Sequence, residues 1–140
     1  IGSRIPAFCT SMGRVLLAGL PPEECKTTLM NSDRRAWTRQ TVTDVRKLEK
    51  EITKVREQGW SIVTDELEVG AFGIAAPIRG EGGKTIAAIN LSTNLARHSP
   101  AALVKKFLPR LMNATASSGC RSRIVARFTR SPLGSGLRQG

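Results

Sequence analysis

The sequence predicts an α+β fold, and three observations carry that expectation. Two short β-rich runs, residues 72–78 and 84–92, flank a glycine-rich break at 79–83, the pattern of an antiparallel hairpin. Residues 43–58 repeat apolar positions at three- and four-residue spacing, the pattern of an amphipathic helix. Taken in order, the chain reads strand, helix, helix, helix, strand, strand, strand, helix. Helices and antiparallel strands are segregated along it rather than alternating, which favours α+β over a doubly wound parallel sheet.

The first element is a short extended entry at residues 3–8, where Pro6 favours extended geometry at Ile5. Gly13 to Gly19 fits a short buried helix capped by Thr10 or Ser11 and stopped before Pro21-Pro22. A second helix runs from Glu23 to near Ser32, followed by a polar stretch that carries Trp37. In the third helix Val45, Leu48, Ile52 and Val55 form the apolar stripe, with Thr43 as cap and Gly59 as stop. Trp60 to Thr64 alternates as a strand, and the acidic connection Asp65-Glu66-Leu67-Glu68 leads to the hairpin. An acidic loop of this kind is more often solvated than catalytic or metal-binding. Ser99-Pro100 then gives a cap with proline at the first helical position. Leu103, Val104, Phe107, Leu108, Leu111 and Met112 make the stripe of a last helix, which Pro109 should kink or split.

The 140 residues suit one domain with an aliphatic core: 40% are hydrophobic, and Tyr is absent. No run approaches the ~18 apolar residues of a membrane span, and no signal peptide opens the chain. Three scattered cysteines, Cys9, Cys25 and Cys120, lack metal spacing and suit free thiols in a reducing cytoplasm. No metal or cofactor is expected. The net charge of +11 includes Arg121, Arg123, Arg127, Arg130 and Arg138 of a tail without acids. That composition predicts a folded domain over 1–122 and a basic, disordered tail over 123–140.

The hairpin itself suggests a binding site. Alternation puts Ile86, Ala88, Asn90 and Ser92 on one face and Ala87, Ile89 and Leu91 on the other. The second set is wholly apolar and should meet a helix. The first ends in an amide and a hydroxyl, opposite small residues Gly73 and Ala75 of the partner strand. Small residues beside a few hydrogen-bonding groups leave a concavity with polar contacts, as a small-molecule pocket requires. The plainer reading is a sheet face covered by a helix, with Asn90 and Ser92 wet at the strand end.

The same residues carry a family resemblance. Ile5-Pro6-Ala7-Phe8-Cys9-Thr10-Ser11-Met12-Gly13-Arg14-Val15-Leu16-Leu17-Ala18 resembles the opening of the effector-binding domain of IclR-family transcriptional regulators. The resemblance continues through Arg56-Glu57-Gln58-Gly59-Trp60, Asp65-Glu66, Ile74-Ala75-Ala76-Pro77-Ile78 and Ala87-Ala88-Ile89-Asn90-Leu91-Ser92, covering about residues 4–120. It looks most like the subgroup serving aromatic-acid and β-ketoadipate catabolism. It implies a GAF- or profilin-like sheet with helices on its faces, and a sensor that binds a small carboxylic or aromatic acid. It further implies a homodimer or tetramer in the cytoplasm, and operator DNA read by an N-terminal winged helix-turn-helix absent from this chain. The family's pocket carries over to Ser11, Met12 and the helix start at Gly13, to Thr64 or Asp65 of the acidic turn, to Gly73 and Ile74, and to Asn90 and Ser92. A family Cys or Ser falls on Gly73, which should make the pocket roomier.

Two other classes compete. A cysteine-dependent enzyme would pair Cys9 with the lone His98, although no third orienting residue is identifiable. A basic nucleic-acid-binding module would use the positive charge, although much of the excess sits in the tail, and aromatic platforms are lacking.

Overall fold

The computed structural model describes residues 4–95 and 99–116; the basic tail and His98 lie outside the described residues. Four helices, α1 (Ser11–Ala18), α2 (Pro22–Met30), α3 (Val45–Gln58) and α4 (Pro100–Ala116), surround three strands, β1 (Ser61–Thr64), β2 (Ala71–Arg79) and β3 (Thr85–Asn94). The sheet is antiparallel, in the order β1-β2-β3. The fold is therefore α+β, with helices on both faces of the sheet.

Local chemistry sets the boundaries. Thr10 caps α1, its hydroxyl accepting from the Gly13 amide at 3.1 Å. Asp44, not the expected Thr43, caps α3 by accepting from the Lys47 amide at 2.9 Å, and Gly59 ends that helix at φ 83°. Between β2 and β3, Gly82 and Gly83 take positive φ in a single 3-10 turn, a conformation that glycine adopts without steric cost.

Three expectations need correction. The entry residues 4–8 form no strand: they run alongside α1, where Phe8 and Cys9 are buried. Pro109 does not split α4, which continues through it to Ala116. Its ring costs one backbone bond, and Leu103 and Leu111 on either side of it are both buried in the same apolar cluster. Met112 leaves that cluster and is exposed.

Packing follows the alternation. Phe72, Ile74 and Ala76 of β2 meet Leu103 and Leu111 of α4, with Ile89 and Leu91 of β3 against the same cluster. The opposite face holds Ala75 and Ala88, which with Val15 and Val55 join α1 and α3 to the sheet. A third cluster, Phe8, Cys9, Leu17, Cys25, Leu29, Leu48 and Ile52, ties α1 to α2 and α3. Helix α1 thus lies between the sheet and α3. Gly13 permits the fit, since a Cβ there would stand 2.2 Å from the Ala7 carbonyl oxygen.

Candidate functional site

Register brings the polar residues of the α1-facing side together. Gly73 pairs with Ser92, Ala75 with Asn90 and Val63 with Gly73, and α1 begins above them at Ser11. The Ser11 hydroxyl lies 3.4 Å from Asn90 Oδ1, and the Asn90 amide nitrogen lies 3.0 Å from Ser92 Oγ. A cavity of about 130 Å³ opens beside this row. Its lining includes Met12, Val63, Leu67 and Phe72 as apolar wall, with Thr10, Ser11, Glu66, Asn90 and Ser92 as polar groups. At ~30 Å³ per water, the space suits a small ligand.

Of the residues expected at the site, Ser11, Met12, Gly73, Asn90 and Ser92 line this cavity. Four do not. The Gly13 amide is taken by Thr10, and Gly13 itself packs on Ala7. Ile74 is fully buried on the opposite face, under α4. Thr64 pairs with Phe72 one residue beyond Val63, so alternation turns it to the α4 side. Asp65 adopts φ 59° and closes the turn, its Oδ1 accepting from the Gly70 amide at 2.6 Å. That left-handed step resets the phase, so the acid that reaches the cavity is the next one, Glu66. Nor is the room at Gly73 empty: a Cβ there would stand 2.7 Å from Ser11 Oγ.

Glu66 is also the centre of the site's electrostatics, and the sequence reading missed it. Arg14 Nη2 lies 2.8 and 2.7 Å from its two carboxylate oxygens, with the Arg14 and Glu66 side chains only 3% and 9% exposed. Arg14 Nε donates to the Phe8 carbonyl at 2.9 Å, and the Val42 amide donates to Glu66 Oε2 at 3.1 Å. The Thr41 hydroxyl donates to the Glu66 carbonyl, and that of Thr38 to the Asp65 carbonyl. A buried pair this well bonded carries no net charge, which offsets much of the repulsion its carboxylate would exert on an anion in the cavity. Only the basic residue after Gly13 and the acid after Asp65 hinted at it, and no local spacing joins positions so far apart.

The first turn of α1 adds donors. Ser11 and Met12 amides have no protein acceptor among the described residues, whereas the Gly13 and Arg14 amides are used by Thr10. Cys9 also lines the cavity, but burial pushes its thiol up to about 11, with Glu66 adding to the effect and Arg14 opposing it. At neutral pH it is a protonated thiol, a poor nucleophile. Among the described residues no cluster of His, Cys, Asp and Glu could hold a metal, and no helix is long and apolar enough to cross a membrane. A larger groove of about 750 Å³ opens at the far end of α1, bordered by Arg56, Arg79 and Lys84. None of the expected site residues lines it, and the small cavity, where polar groups converge, is the better candidate.

Comparison with known proteins agrees with this architecture. Residues 1–120 match the family described as bacterial transcriptional regulator IclR C-terminal. The Pca regulon regulatory protein of Pseudomonas putida is 42% identical over 115 residues, covering 82% of this chain and 40% of that protein. The chain thus spans about two fifths of the length of that relative. The inducer-binding domain of the PobR transcription factor from Acinetobacter, a double mutant solved with 3-hydroxybenzoic acid, superposes with a TM-score of 0.78 at 33% identity, covering 83% of this chain and 66% of that one. The C-terminal domain of the E. coli transcriptional regulator KdgR gives 0.76 at 32% identity, covering 83% and 70%. With the match running over residues 1–120, the chain belongs to the IclR family of bacterial transcriptional regulators, through their C-terminal domain.

Proposed function

We propose that this chain is the effector-sensing part of an IclR-type regulator and takes a small carboxylic or aromatic acid into the cavity between α1 and β3. The observation that carries this reading is the convergence of Ser11, Asn90 and Ser92 with the unpaired α1 amides around a space whose one acid is neutralised. A helix start favours negative charge by about 0.3–1 kcal/mol, more when partly buried. Each hydrogen bond to a charged group contributes about 1.5–3 kcal/mol. The PobR domain, whose structure contains 3-hydroxybenzoic acid, supports the aromatic class as the first to be tested.

In this reading the protein is cytoplasmic, a sensor rather than an enzyme, and acts on operator DNA through a separate domain. Ligand binding biases two arrangements of a homodimer, and only the difference in affinity between them is transmitted. Thermal-shift screening of small carboxylates, hydroxybenzoates included, tests the ligand class, because a bound ligand raises the melting temperature by mass action. Ser92→Asp places an anion against the ligand and should abolish the shift while the fold is kept. Ser92→Ala should weaken binding about tenfold, equivalent to about 1.4 kcal/mol. A shift unchanged by Ser92→Asp would place the ligand elsewhere. Turnover of an acid would favour an enzyme, and a purely monomeric species in sedimentation would argue against the dimer.

A further inference from the structure

We propose, resting on the effector reading above, that Glu66 selects the ligand by accepting a hydrogen bond from its hydroxyl, so that the effector is a hydroxy acid with one carboxylate.

Glu66 has an acceptor to spare. A carboxylate offers about four acceptor sites. Glu66 uses three of them: Arg14 Nη2 lies 2.8 Å from Oε1 and 2.7 Å from Oε2, and the Val42 amide lies 3.1 Å from Oε2. One site is left, on Oε1. The side chain keeps 9% exposure, and the residue lines the cavity. Other donors on the wall are committed. The Cys9 thiol and the Thr10 hydroxyl donate to the Pro6 carbonyl, and the Ser11 hydroxyl donates to Asn90 Oδ1. An acceptor left unmet at a closed wall is costly, so a ligand that displaces water from Glu66 must bring a donor.

Charge decides which donor. A ligand ammonium would meet the Arg14 guanidinium beside Glu66, and a second ligand carboxylate would meet Glu66 itself. A neutral hydroxyl suffers neither repulsion. Its position follows from the sheet. The order β1-β2-β3 puts β1, which leads into Glu66, two strand spacings from Asn90 and Ser92 of β3, about 9–10 Å. With the ligand carboxylate on Ser11, Asn90 and Ser92, the hydroxyl that reaches Glu66 sits at the far end of the molecule.

Titration calorimetry with four acids tests this. Of these, 3-hydroxybenzoate and 4-hydroxybenzoate carry a hydroxyl away from the carboxylate. The third, 4-fluorobenzoate, is close in size but has no proton to donate, and 2-hydroxybenzoate holds its hydroxyl beside the carboxylate. The better of the first two should bind about tenfold or more tighter than either of the others, because a site that bonds a hydroxyl rejects the analogue lacking it. In Glu66→Gln that ratio should fall to about threefold or less. A purely structural role for Glu66 would weaken all four acids together and leave the ratio unchanged. Arg14→Gln/Glu66→Gln leaves no unpaired buried charge and gives the same readout where the single variant fails to fold. Equal affinity for 4-fluorobenzoate and both far-end hydroxy acids overturns the proposal and leaves the effector reading standing. So does a ratio that survives in the variants, or 2-hydroxybenzoate binding as tightly as its isomers. Binding of none of the four overturns the aromatic class and this proposal with it.

Discussion

The two faces of the sheet are made by alternate residues of the same strands, yet they are built to opposite rules. On the α4 side, Phe72, Ile74 and Ala76 meet Leu103 and Leu111 in an apolar layer. On the α1 side, Gly73, Ala75 and Ala88 are small, Asn90 and Ser92 are polar, and a buried ion pair stands at the edge. Period-two alternation allows one face to seal the sheet while the other keeps space and hydrogen-bonding capacity. A single strand can thus serve stability and recognition without either compromising the other.

Breaking each face separately sharpens that contrast. The largest effect should come from Glu66→Ala, which leaves the Arg14 guanidinium buried without its counter-ion, a loss of about 3–5 kcal/mol in urea unfolding. Glu66 lines the cavity and bonds Arg14, so a carboxylate ligand that takes its place should restore more stability to this variant than to the parent. Ile74→Ala, on the sealed face, should cost about 2–5 kcal/mol through the cavity it leaves, with ligand affinity of the folded fraction unchanged. If that affinity fell with the stability, the two faces would not be separable. Gly73→Ala should be milder, about 1–3 kcal/mol of overpacking, because the new methyl meets only the Ser11 hydroxyl at 2.7 Å. Its main consequence is loss of ligand binding as Ser11 is displaced.

The smallest effect is a pH dependence. Cys9 is raised from 9.0 to about 11 by burial, so the folded chain holds this proton more tightly than the unfolded one. Its contribution is fully present below pH 9 and lost as pH rises through about 11. Denaturation curves should show stability falling over that window, and Cys9→Ala should remove that part of the fall.

Much of the contrast is legible in the amino-acid sequence. Alternation along 86–92 separates the polar set from the apolar one, and the register of β2 against β3 then sets Gly73 and Ala75 on the polar side. Caps, glycine stops and helical stripes are local signals, and they placed α1, α3 and α4 within a few residues. What escaped was long-range or phase-dependent. Nothing near Arg14 or Glu66 indicates their pairing, because burial of both depends on α1 docking over β1. The positive φ at Asp65 shifted the facing residue from Thr64 or Asp65 to Glu66, and an aspartate in that conformation leaves no periodic trace. Ile74 enters with Gly73 through the family resemblance, and alternation turns it to the opposite face.

The Arg14–Glu66 pair also suggests an order of assembly to be tested. The strands β1, β2 and β3 join through neighbouring segments, and their ladder closes short loops. Arg14 must instead find a carboxylate 52 positions away, a contact whose chain-closure entropy is met late in folding. Glu66 and Arg14 come together at the cavity wall, so that wall should be completed only after the barrier to folding has been crossed. A ligand held there acts on the native side of that barrier. Its stabilisation should therefore appear as slower unfolding, with the folding rate nearly unchanged. A cavity completed in this way should hold no ligand until the chain has finished folding.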